Sequence, residues 1–313
     1  MAAKTAIDPN QPIHWILDWD GTITRRDTLD ALVSIAASSK PDSPVLDEWK
    51  RVSEAYMSDY TAAMEKLAPN GNLPKTIREE KKLLQALSSV EQASLDRVSS
   101  SRIFAGLTST LLEEGGRSLI ESNKVEIRQG FPGFLKSMQS QDHDALDLLS
   151  VNWSRHFISS CLQAASTPIE KGAIYANELD GIAGHRPSTG NIIPFADTEK
   201  LIMSSGDKLQ YLGRLRQQYH EARSQRPNSG RSIVYVGDSW TDIECLLEAD
   251  LGICIRDEPG GSSQKKLAER LKDLGIHVPH IQDWKDADQW QVVWAKDFAE
   301  VQTWIKLQVT RTG

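Results

Sequence analysis

A short apolar run, His14–Leu17, passes straight into Asp18, Trp19, Asp20, Gly21 and Thr22, and few folds accept residues in that order. The run reads as a buried strand. Residues two apart in a strand point to the same side, so Asp18 and Asp20 share one if the extended geometry continues past the strand. Two carboxylates that close repel each other, and the pair calls for a cation or a strong dipole. Gly21 permits a tight turn and leaves backbone amides to face an anion. Strand, acid pair, turn and the Thr22 hydroxyl together make a site for a metal ion and a phosphate. The plainer reading is an Asp-Gly turn that closes a strand.

The 313 residues allow one large domain or two smaller ones. Hydrophobic residues make up 39% and charged residues 25%, the balance of a soluble globular protein. A formal net charge of -7 leaves no basic excess for nucleic acid, and no polybasic run suggests an anionic membrane surface. No apolar run approaches the ~18 residues of a membrane span. Residues 1–11 lack the apolar stretch of a secretory signal and read as a loose arm. Cys161, Cys245 and Cys254 are an odd set without metal spacing. They read as reduced core thiols of a cytoplasmic protein, with the nucleus as an alternative compartment. None of the histidines has an HxxxH-type spacing, so all are taken as structural or solvated. Oligomeric state is not legible.

Along the chain, Thr28–Ala36 starts a helix with Leu29, Leu32, Val33 and Ala36 on one face. From Ser38 to Arg128 the pattern is helical throughout. Leu46, Trp49, Val52, Tyr56, Tyr60, Met64 and Leu67 step by three or four and define one amphipathic face. A second helix carries Leu83, Leu84, Leu87 and Val90, with the run Arg78–Lys82 expected on its solvated side. Trp49, Tyr56 and Tyr60 fit helix packing better than a substrate pocket. The α/β alternation then resumes with a helix at 130–140 and a short strand, Leu146–Leu149, that ends at Ser150 ahead of a helix from Ser154. A hydroxyl at that place suits a phosphate oxygen. Residues 172–179 read as a strand and 191–195 as the return of a hairpin, with Glu178 and Asp180 as surface acids. Lys208 opens a helix whose Leu209, Leu212 and Leu215 share a face, with Ser205 and Asp207 as candidate caps. A lysine there offers a compact cation to a phosphate or a neighbouring acid.

Ser232–Val236 is the cleanest buried strand, and it runs into Gly237, Asp238, Ser239, Trp240, Thr241 and Asp242. Asp238 ends the strand and Asp242 reaches back from the first turn after it, so both face Asp18. Oxygen ligands of this kind suit Mg²⁺. A strand at 252–255, a loop at 257–263 and a helix at 267–274 follow. The tryptophans Trp284, Trp290, Trp294 and Trp304 have no basic stripe beside them and read as packing. Trp19, Trp153 and Trp240 recur beside these elements, either as one aromatic wall or, the preferred reading, as separate packing residues.

DWDGT followed by Thr24…Asp27, the strand ending in Ser150, Lys208, and GDSWTD resemble the four signatures of the haloacid dehalogenase-like hydrolases. Ser150-x-x-Trp153-Ser154 and YANEL…TG resemble the phosphatase domains that accompany thiamine-salvage proteins in plants and their fungal relatives. The phosphoserine phosphatase-like branch has two glycines where this chain has Val151 and Asn152. The resemblance implies an α/β Rossmann-like core with a mainly parallel sheet, residues 1–28 and 129–313, and an inserted all-helical cap, residues 29–128. It implies a Mg²⁺-dependent phosphomonoesterase acting on a small phosphorylated metabolite through an aspartyl-phosphate. Asp18 is then the nucleophile and Asp20 the acid–base. Gly21, Thr22, Ser150 and Lys208 bind phosphate. Asp18, the Asp20 carbonyl, Asp238 and Asp242 hold Mg²⁺, and Asp27 and Asn152 are candidate substrate contacts. Dehalogenating members lack an acid at the Asp20 position, so dehalogenation is not expected. The alternative is a binding or regulatory protein on an inactive phosphatase fold.

Overall fold

The computed structural model describes residues 12–139, 144–196, 200–221, 232–283 and 292–311. The expected arm and two of the four C-terminal tryptophans, Trp284 and Trp290, lie outside them. In chain order the elements begin with β1 (Ile13–Leu17), α1 (Leu29–Ser39), α2 (Val45–Leu67), α3 (Ile77–Ser101), α4 (Ser109–Glu121) and α5 (Phe131–Gln139). Next come β2 (Ala145–Leu149), α6 (Arg155–Ala164), β3 (Ile174–Tyr175), β4 (Glu178–Leu179), β5 (Ile192–Ile193) and α7 (Ser205–Glu221). The last are β6 (Ser232–Gly237), α8 (Ile243–Glu248), β7 (Leu251–Ile255), α9 (Ser262–Asp273), β8 (Val292–Ala295) and α10 (Phe298–Arg311). They fall into two compact units. One holds Met1–Arg25, Ile127–Leu149 and Ser205–Gly313, and the other holds Arg26–Glu126 and Ser150–Ser204. Among the described residues no helix is long and apolar enough to cross a membrane.

In the first unit the sheet order is β2-β1-β6-β7-β8, all parallel. β1 and β7 are fully buried, as central strands of a parallel sheet are when helices cover both sides, and apolar apart from His14, which bonds Asp147 of β2 at 2.7 Å. β1 and β6 run in step, Ile13 beside Ser232 and Leu17 beside Val236. Their carboxyl ends therefore emerge together, and the Asp18 amide donates to the Val236 carbonyl at 2.9 Å. One face of the core is aromatic. Trp15 of β1 meets Phe134 of α5 edge-on at 5.0 Å, and Phe134 and Phe131 both pack on Phe298 of α10. All three cysteines are buried and none forms a disulfide, Cys245 and Cys254 in this unit and Cys161 in the second.

The second unit is mainly helical, with a small antiparallel pair formed by β4 and β5. The helix starts are written in the sequence: the Thr76, Thr108 and Ser154 side chains accept the Glu79, Leu111 and Phe157 amides. α3 buries Leu83, Leu84, Leu87, Val90, Leu95 and Val98 along one stripe, each worth roughly 1.5–3 kcal/mol of transfer free energy. Two expectations change here. α2 lies on α3 and buries only Val45 and Val52, so Leu46, at 60% exposure, and Leu67 point to solvent although their spacing suits a core face. In the Arg78–Lys82 run Glu80 is buried, because the helical period carries it onto the stripe with Leu83, Leu84 and Leu87.

The 172–179 strand is two short pieces, β3 and β4. The Asn177 side chain bonds the carbonyls of Asn152 and Ile202 and accepts the Ile202 amide. Neither acid beside it is a plain surface residue. Glu178 is buried and accepts the Ser154 hydroxyl and the amides of His156 and Leu179. Asp180 organises the following turn, accepting from the Ser188 hydroxyl and the amides of Thr189 and Asn191.

Candidate active site

β1 ends at Leu17, and Asp18 stays extended at φ -73°, ψ 162°. The chain then closes a wide turn in which the Thr24 amide reaches the Trp19 carbonyl at 3.0 Å. Asp20 is itself extended, at φ -70°, ψ 122°, and the chain turns sharply at Gly21. The Thr24 hydroxyl tightens the turn by accepting the Gly21 amide and donating to the Trp19 carbonyl. Gly21 has φ +74°, and a Cβ there would lie 2.4 Å from an Asp238 carboxylate oxygen, so both conformation and space demand glycine. Gly237 is required for a similar reason: a Cβ would meet the Asp242 carboxylate carbon at 2.5 Å. Asp20 is half-buried on this turn.

Three buried carboxylates, Asp18, Asp238 and Asp242, bring an oxygen each to within 4.8 Å of one another. Lys208, fully buried on the first turns of α7, places its ammonium 2.7 Å from Asp18 Oδ1 and 2.7 Å from Asp242 Oδ1. Asp242 also accepts the Tyr235 hydroxyl at 2.7 Å, and its second oxygen accepts the amides of Asp238 and Ser239. Burial opposes ionisation of Asp242, but Lys208 and these donors outweigh it and hold the carboxyl below its usual range. Burial likewise disfavours the Lys208 ammonium, and the two acids outweigh it and keep the lysine charged. Asp18 is pushed well up, first by burial and then by Asp242. Asp238, bonded by the Thr22 and Ser263 hydroxyls, is pushed up to about 7, first by burial and then by Asp242.

Three carboxylates thus share one ammonium, and the deficit of positive charge falls on Asp18 and Asp238. The donors are all oxygen and hard. This set fits Mg²⁺ and does not suit the nitrogen and sulfur chemistry of zinc.

Asp18, Asp20, Gly21, Thr22, Lys208, Asp238 and Asp242 all belong to the first unit, and Asp27, Ser150 and Asn152 belong to the second. Ser150 is buried, gives its amide to the Tyr175 carbonyl at 2.9 Å and accepts the Asn152 amide on its hydroxyl. Asn152 caps the Ser154 amide and donates to the Thr28 hydroxyl, tying the starts of α6 and α1. Asp27 is exposed and accepts the Leu29 amide at 2.8 Å. Arg51, on the exposed side of α2, pairs with Glu48.

The tryptophans pack locally. Trp19 is fully buried, Trp240 lies under the Lys266 ammonium at 4.1 Å, and Trp153 meets Trp49 and Phe104 edge-on. Ser205 is the first helical residue of α7 rather than a cap, and its hydroxyl is buried with no hydrogen-bond partner among the described residues. Tyr235 and Ser263 escaped the sequence reading. Tyr235 had a usable signal, since it shares a strand face with Gly237 directly before the acid pair. Ser263 had none, because its contact with Asp238 is set by the fold.

No protein-family model matches the chain. It is 28% identical over 268 residues to a CTO1 family protein of Schizosaccharomyces pombe, covering 84% of this chain and 87% of that one. It is 22% identical to cold tolerance protein 1 of Saccharomyces cerevisiae, covering 83% and 84%. It is 26% identical to the bifunctional TH2 protein, mitochondrial, of Arabidopsis thaliana, covering 76% of this chain and 38% of that one. A solved structure of a probable phosphoserine phosphatase from Vibrio cholerae superposes with a TM-score of 0.52 at 16% identity, covering 99% of this chain and 68% of the other. The parallel sheet, its flanking helices and this likeness are those of the haloacid dehalogenase-type, Rossmann-like α/β fold.

Proposed function

We propose that the chain is a Mg²⁺-dependent phosphomonoesterase that acts on a small phosphorylated metabolite through an aspartyl-phosphate. The observation that carries this reading is the convergence of Asp18, Asp238 and Asp242 on the buried Lys208 ammonium at the carboxyl ends of β1 and β6. Ligand sites of open α/β sheets lie at that end.

One Asp18 carboxylate oxygen forms a bond to phosphorus as the bond from phosphorus to the leaving oxygen breaks. Asp20 gives its proton to that leaving oxygen. It then takes a proton from the water whose oxygen attacks phosphorus, which frees phosphate and restores Asp18. Lys208 keeps Asp18 oriented and offers positive charge to the phosphoryl oxygens, and the turn presents its Thr22 amide to them, the Gly21 amide being taken by the Thr24 hydroxyl. Asp18, the Asp20 carbonyl, Asp238 and Asp242 would hold Mg²⁺, which when bound neutralises the repulsion between carboxylate and phosphoryl group. The roles of Ser150, Asn152 and Asp27 rest on the family resemblance alone.

The test is phosphate release by wild type and Asp18→Asn with and without Mg²⁺, first on an aryl phosphate and then on a panel of phosphorylated metabolites. Metal-dependent release that Asp18→Asn abolishes is the expected result. No release across the panel together with no Mg²⁺ binding would overturn it in favour of a binding or regulatory protein.

A further inference from the structure

The turn after Asp20 is gripped from behind by a residue outside all four signatures. Arg128 is 2% exposed and lies just after the chain re-enters the first unit. Its Nε donates to the Thr22 carbonyl at 2.9 Å and its Nη2 to the Gly21 carbonyl at 2.6 Å. Nη1 donates to Asp257 Oδ1 at 2.7 Å. Arg128's own amide adds a bond to the Ile23 carbonyl at 2.8 Å.

A buried guanidinium is costly unless its charge is paired, and Asp257 pairs it. Asp257 is itself held from both ends. Gln264 donates to Asp257 Oδ2 at 2.8 Å and accepts the Asp257 amide at 2.9 Å. Arginine's donors lie on three nitrogens of one rigid plane and so reach two peptide carbonyls and a carboxylate in different directions; lysine's three donors sit on a single nitrogen and do not reproduce that spread.

The consequence for the turn follows from peptide planarity. A carbonyl and the amide of the next residue belong to one rigid plane and point in opposite directions. Anchoring the Gly21 and Thr22 carbonyls therefore sets the directions of the Thr22 and Ile23 amides. It also sets the backbone from which Asp20 projects and the Thr22 hydroxyl that bonds Asp238. The geometry points to Arg128, braced by Asp257 and Gln264, as the positioning residue for the nucleophile turn, a role that rests on the phosphatase reading above. Arg128 touches backbone, not the reacting atoms, and acts through Asp20 and Thr22.

The experiment compares full-length wild type, Arg128→Lys and Asp257→Asn. Asp257→Asn keeps the side chain's shape and guards against a variant that fails to fold. Amide hydrogen exchange is followed in the 18–24 segment and in the strands of the sheet, and Mg²⁺-dependent turnover of an aryl phosphate is followed alongside. We expect faster exchange confined to 18–24 and a fall in kcat of about 10- to 100-fold, with KM little changed. Arg128→Lys should lose as much as Asp257→Asn or more, since retained charge does not replace the fork. Unchanged exchange at 18–24 would overturn the clamp. So would faster exchange with full kcat, or a loss of kcat that merely tracks a general fall in thermal stability. A wild type inactive on the aryl phosphate leaves exchange alone to decide the clamp, and the phosphatase reading then falls only if the metabolite panel and Mg²⁺ binding fail as well.

Discussion

Asp238, like Asp18, is a buried carboxylate whose ionisation its surroundings oppose. Burial and the neighbouring Asp242 push its carboxyl up to about 7, against about 3.9 for an aspartate in an unfolded chain. A folded value above the unfolded one means the native state holds this proton more tightly. Its stabilising share is complete below about pH 4 and is lost as pH rises through about 7. The metal-free protein should therefore show a thermal midpoint that falls across this window, and Asp238→Asn should flatten the fall. Added Mg²⁺ should raise the midpoint more at pH 7.5 than at pH 5, because protons compete with a cation for the same oxygens. Equal Mg²⁺ effects at both pH values would count against a site built on these carboxylates. At this scale the signature residues were legible because acids at strand ends break the apolar pattern around them. Glu80 and Glu178 were not: a charged residue reads as solvated until its neighbours are known, and both are buried.

At the scale of elements, caps and turns carry the local instructions. Ser154 accepts the Phe157 amide at the start of α6 and donates to Glu178 at 2.8 Å, so one hydroxyl closes a helix end and satisfies a buried acid. Ser154→Ala removes both bonds and should cost about 1–3 kcal/mol, read by chemical denaturation. A loss below about 0.5 kcal/mol would mean that water replaces the hydroxyl. Periodicity located α1, α2 and α3 from their apolar spacing. It did not show how far each helix is covered, since Leu46 has core spacing and lies in solvent. The strand expected over 172–179 breaks because the Asn177 side chain competes for backbone partners that a continuous ladder would need.

Over the whole molecule, the first unit joins stretches far apart in the chain. Trp15, Phe134 and Phe298 meet in one aromatic cluster that links β1, α5 and α10. Phe134→Ala should leave a cavity and cost about 3–5 kcal/mol, measured by denaturation in the metal-free protein. A much smaller cost would show that the cluster collapses around the gap. The sequence by itself determined which residues end the buried strands, that the chain can turn at Gly21, and the order of hydroxyl, lysine and acids along the chain. These are local matters of period, turn conformation and spacing. Only the tertiary structure decided that Lys208 bridges Asp18 and Asp242, that Ser263 reaches Asp238, and that Arg128 holds the Gly21–Thr22 carbonyls. Those contacts depend on strand register and on helices that return from distant parts of the chain, and no local pattern encodes the distance between two such side chains.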